Sequence, residues 1–267
     1  MVRHVSLNDY LSARSSWPRR LLGWEPYAVR RDEDHVGREY DRDRYAPLLD
    51  PPPASIEECK RREFELLGMP PEKPEYFSLG EEIFVAPVAT LRQLWYATIA
   101  EAVQRRRGAG PLCELGCGYG YNLTYLGADA YGGERSENAV ALARRFGLDV
   151  APFDYYDRDS YALLRPRTTV LTVHSVEQLP DATPVIEGLA ARRDAIDAVI
   201  HLEPGFLPER ETLLGMIRNR YNELIDHNRN LVALLRARSD VEILAFEADV
   251  FGVHPLNSTN LVVWRFR

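Results

Sequence analysis

Short apolar segments alternate with longer amphipathic segments from residue 111 onward. PLCEL, DAYGGE, DVAPFD, TTVLTVH and DAVIHLE are predicted as five successive strands, because each is a short run of apolar or β-branched residues. Helices are predicted in SENAVALARRFG, which Ser136 caps and Gly147 ends, and in ATPVIEGLAARRDAI. Alternating strands and helices of this length predict a parallel sheet with helices on both faces.

The alternation stops after the fifth strand. A long helical segment, roughly residues 208–238, is followed by VEILAFEADVFG and STNLVVWRFR with no helix between them. We therefore predict that the last strand returns antiparallel, so that the fold is a Rossmann-like, doubly wound α/β sheet, mostly parallel with an antiparallel last strand. The apolar side of the long helical segment is interpreted as core or as the contact of a homodimer, and its polar stretch YNELIDHNRN as a kink or pocket wall.

The first ninety or so residues have a different pattern. RRDEDHVGREYDRDRY mixes charges and favours a solvated helix or loop, and two proline clusters, DPPP and MPPEKP, interrupt regular structure. Ser55 with Glu58, and Thr90 with Gln93, form capping-box signatures for two helices. We predict an N-terminal helical cap over residues 1–89 and a core over residues 90–267. Aromatic residues of the cap either close over a pocket as a lid or pack the cap onto the sheet.

Composition narrows the function. The 267-residue chain has a net charge of -7, which counts against a general nucleic-acid binder. No apolar stretch reaches membrane-spanning length, and the start MVRHVSLNDYLSARSSW lacks the apolar core of a signal peptide. The three cysteines have no C-x-x-C spacing and are interpreted as reduced thiols. We expect a cytoplasmic protein that binds neither nucleic acid nor membrane.

The stretch PLCELGCGYGYNL places Gly116, Gly118 and Gly120 directly after the first predicted strand of the core. A glycine turn between a strand and a helix lets a ligand approach the backbone closely. Dinucleotide sites use the spacing G-x-G-x-x-G, whose last glycine is replaced here by Tyr121. Glu114 precedes the first glycine, where it would repel a pyrophosphate but attract a cation.

Glu134 ends the second predicted strand and is suited to accept hydrogen bonds from two ribose hydroxyls. NAD sites also place a carboxylate there, so this residue alone does not decide the ligand. Together with Glu114 and the glycine spacing, it favours a ligand that has a ribose and an ammonium group but no phosphate.

ELGCGYG, YGGERSENAV, APFD and VLTVHSVEQLPD, in this order, resemble the successive motifs of class I S-adenosylmethionine-dependent methyltransferases of the small-molecule type. The resemblance covers about residues 90–267 and implies S-adenosylmethionine as the cofactor. It implies that Glu114, Gly116 and Gly118 meet the methionine half of the cofactor and that Glu134 holds the ribose. Asp154 would face the adenine amino group, and His174 and Ser175 would edge the pocket.

Two departures from the family's motifs bear on the substrate. Many small-molecule members have Glu-His after the fourth strand, whereas this chain has Glu177 and Gln178. The N-P-P-Y-like motif of enzymes that methylate amino groups of nucleic acids is absent.

Candidates for the chemical step lie at the ends of the fourth and fifth predicted strands: His174, Glu177, His201 and Glu203. A methyl acceptor must be aligned and unprotonated, so these side chains could orient it or remove its proton. The two carboxylates suit an amine or guanidine, and the histidines suit a hydroxyl or phenol. The alternative for each histidine is a structural role, and for Glu177 a place at a helix N-terminus. Glu203 precedes Pro204 and is expected to act on the acceptor without affecting cofactor binding. The sequence shows no pattern typical of a metal site.

The predicted function is therefore methyl transfer to a nitrogen or oxygen nucleophile of a small molecule. An arginine-rich composition adds bacterial specialised metabolism, and hence natural product biosynthesis, as an expectation. The alternatives are a peptide or protein methyltransferase, an NAD-dependent oxidoreductase, and a cofactor-binding module without catalysis.

Overall fold

A ten-stranded sheet forms the centre of the structure, a computed structural model that describes residues 1–13 and 16–267. The strand order is β1-β3-β2-β9-β10-β8-β7-β4-β5-β6. The strands are β1 (Arg3–Val5), β2 (Pro74–Leu79), β3 (Glu82–Pro87), β4 (Leu112–Leu115), β5 (Ala130–Glu134), β6 (Val150–Pro152), β7 (Thr168–Val173), β8 (Ile196–Pro204), β9 (Val241–His254) and β10 (Asn257–Phe266).

Helices cover both faces of this sheet. The α-helices are α1 (Leu7–Ala13), α2 (Ser16–Leu21), α3 (Glu33–Gly37), α4 (Ile56–Leu66), α5 (Val88–Arg106), α6 (Leu123–Leu126), α7 (Glu137–Arg145), α8 (Thr183–Ala191), α9 (Leu213–Leu224) and α10 (Leu231–Ala237). A π-helical segment spans Arg38–Tyr45, and 3₁₀ turns span Ala46–Leu48, Arg158–Leu163, Val176–Gln178 and Arg193–Ala195. In the described part of the chain, no helix is both long enough and apolar enough to cross a membrane.

Two buried clusters hold the layers together. On one face, α5 packs against the sheet through Leu91, Trp95 and Ile99, and on the other face α8 and α10 pack against it. Val199 and Ile200 are neighbours in β8 but belong to opposite clusters, as expected when successive side chains of a strand point to opposite faces. The predicted α/β class is confirmed.

Strand order reverses at β4. β5 and β6 extend the sheet on one side of β4 and β7 and β8 on the other, and all of these pairings are parallel. β10 lies between β8 and β9 and is antiparallel to both. Ligands of doubly wound folds bind beyond the carboxyl ends of the strands at such a reversal, so the expected place for a site is the loops that follow β4 and β7.

The prediction of a mostly parallel sheet is wrong for the whole molecule. Among the described residues, five of the nine strand pairings are antiparallel. The difference arises in the N-terminal segment, which is not purely helical: β1, β2 and β3 join the edge of the sheet where Ser78 pairs with Gly252 of β9. Phe77 and Ile83 of this hairpin are buried, and their burial stabilises the added strands.

Two helix boundaries also differ from the sequence prediction. α5 begins at Val88, directly after Pro87 ends β3, so that Thr90 lies inside the helix and caps nothing. The long helical segment predicted over residues 208–238 is two helices, α9 and α10, separated by residues 225–230. The predicted caps Ser55 and Ser136 are both present, since each side chain accepts a hydrogen bond from the third residue after it.

Candidate active site

A cavity of about 960 Å³ lies beyond the carboxyl ends of β4, β5 and β7. Its sheet side is lined by the glycine loop after β4, the end of β5 and the loop after β7. Its other side is lined by the N-terminal segment, from Arg31 to Tyr45 and from Lys60 to Met69, and by α5. Cavities of 300–1,000 Å³ hold small molecules and cofactors, so the volume suits such a ligand.

The first two glycines of the loop adopt conformations that other residues rarely take. Gly116 has φ +72° and Gly118 has φ +56°. A Cβ at Gly116 would lie 2.4 Å from Cβ of Ser175, and one at Gly118 would lie 2.8 Å from the Tyr45 hydroxyl. A side chain at Gly116 would therefore clash with the loop after β7, and one at Gly118 with the N-terminal segment, which explains why the chain has glycine at both positions.

Gly120 differs from the other two glycines because it does not line the cavity. A Cβ at this position would meet Leu148 and Leu123 within 3.2 Å. The residue therefore allows close packing around the loop, and the structure does not place it in reach of a ligand in the cavity.

Glu114 has a carboxylate with one satisfied and one unsatisfied oxygen. Oε1 accepts a hydrogen bond of 2.7 Å from Nδ2 of Asn122, while the buried Oε2 has no hydrogen-bond partner. Burial, together with the negative charge of Glu134, raises the pKa of Glu114 to about 8. A buried carboxylate oxygen without a partner costs free energy, so a cationic or hydrogen-bond-donating ligand beside it would be stabilising.

Glu134 connects β5 to the glycine loop. Its Oε2 accepts a hydrogen bond of 2.7 Å from the Gly118 N–H, and its Oε1 accepts one of 2.8 Å from the Ser136 N–H. Burial raises the pKa of Glu134, and the hydrogen bonds from these backbone donors offset only part of that rise. Each carboxylate oxygen has two lone pairs, so the group keeps capacity for ligand hydroxyls on the cavity side.

Two further predicted residues also line the cavity. Asp154 lies 3.2 Å from Nε of Arg135 through its Oδ2, so its charge is partly balanced by the protein. The Ser175 hydroxyl donates a 2.9 Å hydrogen bond to the Leu115 carbonyl and lies 2.8 Å from the Tyr155 hydroxyl. The loops after β4, β6 and β7 are thus joined around the cavity.

His174 and Glu177 form the part of the cavity wall that follows β7. His174 has φ +51°, and its Nε2 lies 2.6 Å from the Thr259 hydroxyl. Its Nδ1 lies 3.6 Å from Oε1 of Glu177. Burial lowers the pKa of His174 to about 4, so its ring is neutral near neutral pH.

Glu177 is held from several sides. Its Oε2 accepts a hydrogen bond of 3.0 Å from Nδ2 of Asn257, and its Oε1 accepts one of 2.9 Å from Nε2 of Gln178. His227, in the segment between α9 and α10, places Nδ1 3.3 Å from Glu177 Oε2. Burial raises the pKa of Glu177 to about 7. YNELIDHNRN is predicted as a kink or pocket wall, and its His227 is the residue that contacts Glu177 in the cavity wall.

Glu203 does not line the cavity. Its Oε1 accepts hydrogen bonds of 3.1 Å from the N–H groups of Ser175 and Val176, and its Oε2 accepts one of 3.0 Å from the N–H of Glu177. The expectation that Glu203 contacts the acceptor is therefore not met. The sequence shows that Glu203 ends a strand before Pro-Gly, but it does not show which backbone N–H groups its carboxylate will bind.

His201 is also outside the cavity lining. Its side chain is buried, its Nδ1 lies 2.8 Å from the Thr172 hydroxyl, and its ring stacks on Trp264 in the core of the sheet. Burial lowers the pKa of His201 to about 3. His201 therefore has the structural role that was the alternative to a catalytic one.

The N-terminal wall could not be predicted in detail from the sequence. Within the mixed-charge run, Tyr45 is buried, and Asp41 Oδ1 accepts a 3.0 Å hydrogen bond from the N–H of Asn138 at the start of α7. Asp41 and Tyr45 thus attach the end of the run to the core, while Arg42 and Asp43 between them are exposed, as predicted for a solvated segment. In the described part of the chain, no group of three or more His, Cys, Asp or Glu side chains is placed to hold a metal ion.

Solved structures, but no family model or curated sequence, resemble this chain. The magnesium protoporphyrin IX methyltransferase ChlM from Synechocystis PCC 6803, solved with bound SAH, is similar to this chain with a TM-score of 0.51. The two are 13% identical over 88% of this chain and 100% of that chain.

Two further solved structures are less similar. The mitomycin 7-O-methyltransferase MmcR is 18% identical over 68% of this chain and 55% of that chain, with a TM-score of 0.42. The sugar N-methyltransferase KedS8 from Streptoalloteichus sp ATCC 53650 is 24% identical over 44% of this chain and 50% of that chain, with a TM-score of 0.36. The similarity to ChlM shows that this chain shares the fold of that methyltransferase.

Proposed function

We propose that the protein is an S-adenosylmethionine-dependent methyltransferase that acts on a nitrogen or oxygen nucleophile of a small molecule. The observation that carries this proposal is the buried, unpartnered Oε2 of Glu114 beside a glycine loop at the point where strand order reverses. The ligand that suits this oxygen has a cationic hydrogen-bond donor and no phosphate.

In this proposal, each of these cavity residues contacts a different part of the cofactor. Glu114 accepts from the ammonium group of the methionine half, and Gly116 and Gly118 allow that half to approach the backbone. Glu134 accepts from the ribose hydroxyls, and Asp154 from the adenine amino group. His174 and Ser175 edge the pocket. S-adenosylmethionine supplies a methyl group on a sulfonium, which is an electrophile with its own leaving group.

Glu177 is the group proposed to orient the acceptor and take its proton. A base works best when its pKa lies near the working pH, and the pKa of Glu177 is raised to about 7. Asn257 and Gln178 hold its two oxygens, so the carboxylate direction is defined. Neutral His174 lies beside it and offers a second polar contact to the acceptor.

The alternatives receive less support from the cavity. A dinucleotide would bring a pyrophosphate close to Glu114, where the ionised carboxyl would repel it and the protonated carboxyl would offer it a single hydrogen-bond donor. A peptide would need an open groove, whereas the N-terminal segment covers one side of the cavity. A module without catalysis has no need for a carboxyl with a pKa near 7 in the cavity wall. A place in bacterial specialised metabolism and the formation of a homodimer stay predictions from the sequence.

The experiment that tests this function measures release of S-adenosylhomocysteine from S-adenosylmethionine with pooled acceptors. The pools are amines and guanidines, phenols and alcohols, and carboxylic acids. Turnover in at least one pool, lost in the Glu177→Gln variant, is the expected result. Binding of the cofactor without turnover in any pool would favour the non-catalytic alternative or a peptide substrate.

A further inference from the structure

The wall of the cavity formed by the π-helical segment, α4 and α5 carries an excess of positive charge. Arg44, Lys60 and Arg92 line it, and Glu63 is the carboxylate that contacts this group. Lys60 lies three residues before Glu63 on α4, whereas Arg44 comes from the π-helical segment and Arg92 from α5.

Glu63 has no capacity left for Arg92. Its side chain is 2% exposed, and its Oε1 accepts a 2.7 Å hydrogen bond from Nε of Arg44. Its Oε2 accepts from Nζ of Lys60 at 2.9 Å and from the Tyr119 hydroxyl at 2.7 Å. Burial opposes the ionisation of Glu63, but Lys60 and Arg44 together hold its pKa well below the usual range. Glu63 is therefore a carboxylate already satisfied by the protein.

Arg92 is the cation without an anion. One of its terminal nitrogens, Nη1, donates to the Tyr96 hydroxyl at 3.1 Å, and its guanidinium carbon lies 2.9 Å from the centre of the Phe64 ring. Its Nε is buried and has no hydrogen-bond partner. Within the described ranges, no ion pair joins Arg92 to a carboxylate. A half-buried guanidinium with an unpaired, buried Nε is stabilised by an anion that its planar set of donors can bind, and among the described residues no such anion contacts Arg92.

We propose that Arg92, with Lys60 beside it, binds a carboxylate or phosphate group of the methyl acceptor. This inference rests on the proposed function and adds the chemical class of the substrate. The rings of Phe64, Tyr96 and Tyr121 line the same wall, so a planar or aromatic body next to the anionic group would stack against them.

The carboxylate at the methionine end of the cofactor is also an anion that Arg92 could bind, in place of an anionic group of the acceptor. The two sources differ in what an Arg92 variant loses. If Arg92 binds the acceptor, the variant keeps its affinity for S-adenosylhomocysteine; if Arg92 binds the cofactor carboxylate, the variant loses that affinity.

The test is calorimetric titration with 2-naphthoate, 2-naphthyl phosphate and the neutral 2-naphthamide, on the protein alone and on the protein saturated with S-adenosylhomocysteine. We expect at least one of the anions to bind about tenfold or more tightly than the amide, and Arg92→Gln to abolish this difference. Arg105→Gln is the matched control, because Arg105 lies on the same helix but is 70% exposed and paired with Glu101. Lys60→Gln provides a second variant should Arg92→Gln fail to fold, and it is expected to weaken anion binding as well.

Equal binding of the anions and the amide would overturn the proposal, as would the absence of binding by all three probes. Loss of S-adenosylhomocysteine affinity in Arg92→Gln, with anion binding unchanged, would assign Arg92 to the cofactor. If wild-type protein does not bind S-adenosylhomocysteine, the proposed function fails, whereas anion binding by the ligand-free protein still reports on this wall separately.

Discussion

Glu203 Oε1 lies 3.1 Å from the backbone nitrogen of Ser175, twenty-eight residues earlier in the chain. The same carboxylate accepts from the next two N–H groups, so it holds the turn that begins at Ser175 after β7. His174 and Glu177 flank this contact and line the cavity. A buried strand-end carboxylate therefore acts on the cavity by positioning residues that line it.

Glu203→Ala should destabilise the protein and weaken cofactor binding together. The change leaves three backbone N–H groups without their acceptor, and each such buried group costs about 1–3 kcal/mol. We expect a lower melting temperature and a lower affinity for S-adenosylhomocysteine, measured by calorimetry. Glu209→Ala, at an exposed site paired with Arg236, is the control. If the variant loses turnover but keeps its stability and its cofactor affinity, this account is wrong and Glu203 contacts the acceptor directly.

Glu134→Ala should weaken S-adenosylhomocysteine binding strongly. Charge-assisted hydrogen bonds contribute about 1.5–3 kcal/mol, which corresponds to an affinity loss of roughly tenfold to 150-fold. Glu101→Ala, an exposed substitution on α5, should leave the affinity unchanged. If the two variants bind the cofactor product equally well, Glu134 does not hold the ribose.

Cofactor binding should release a proton from Glu114. Its pKa is about 8 in the ligand-free protein, so the group is mostly protonated at neutral pH. The ammonium group of the ligand favours the carboxylate form and lowers this pKa, so affinity should rise with pH until about pH 8. Titrations in buffers of different ionisation enthalpy should detect about one proton released near pH 7, and none in Glu114→Gln. An equal proton count in both proteins would place the ammonium elsewhere.

The rate of methyl transfer should follow the ionisation of Glu177. A base acts when deprotonated, and the pKa of Glu177 is about 7, so kcat should rise with pH through that value and level off above it. Glu177→Gln keeps the size of the side chain but should remove this limb and lower kcat about 100-fold or more. A variant with the same pH profile as the wild type would exclude Glu177 as the base.

Local patterns predicted the central part of the fold well. Ser55 and Ser136 cap their helices because an N-cap depends on the first helical turn alone. The positive φ angles of Gly116 and Gly118 follow from the same local logic, since a glycine turn after a strand needs them. The strands β4, β5, β7 and β8 were predictable because burial on both faces makes each a short, mostly apolar run.

Contacts between distant segments were not predictable. The partners of Glu203 lie in another strand's loop, and two partners of Glu63, Arg44 and Tyr119, lie in the π-helical segment and in the glycine loop. Thr90 and Gln93 matched a capping box, but Pro87 ends β3 and the helix starts before them. Isolated sequence patterns did not show that β2 would add to β9, because such an edge pairing depends on where both strands lie.

Titration of the wild-type protein with S-adenosylhomocysteine and, separately, with NAD tests the central claim most directly. We predict saturable, one-to-one binding of S-adenosylhomocysteine and none of NAD, because Glu114 favours an ammonium group and disfavours a pyrophosphate. Binding of NAD without binding of S-adenosylhomocysteine would contradict the account and identify the cavity as a dinucleotide site.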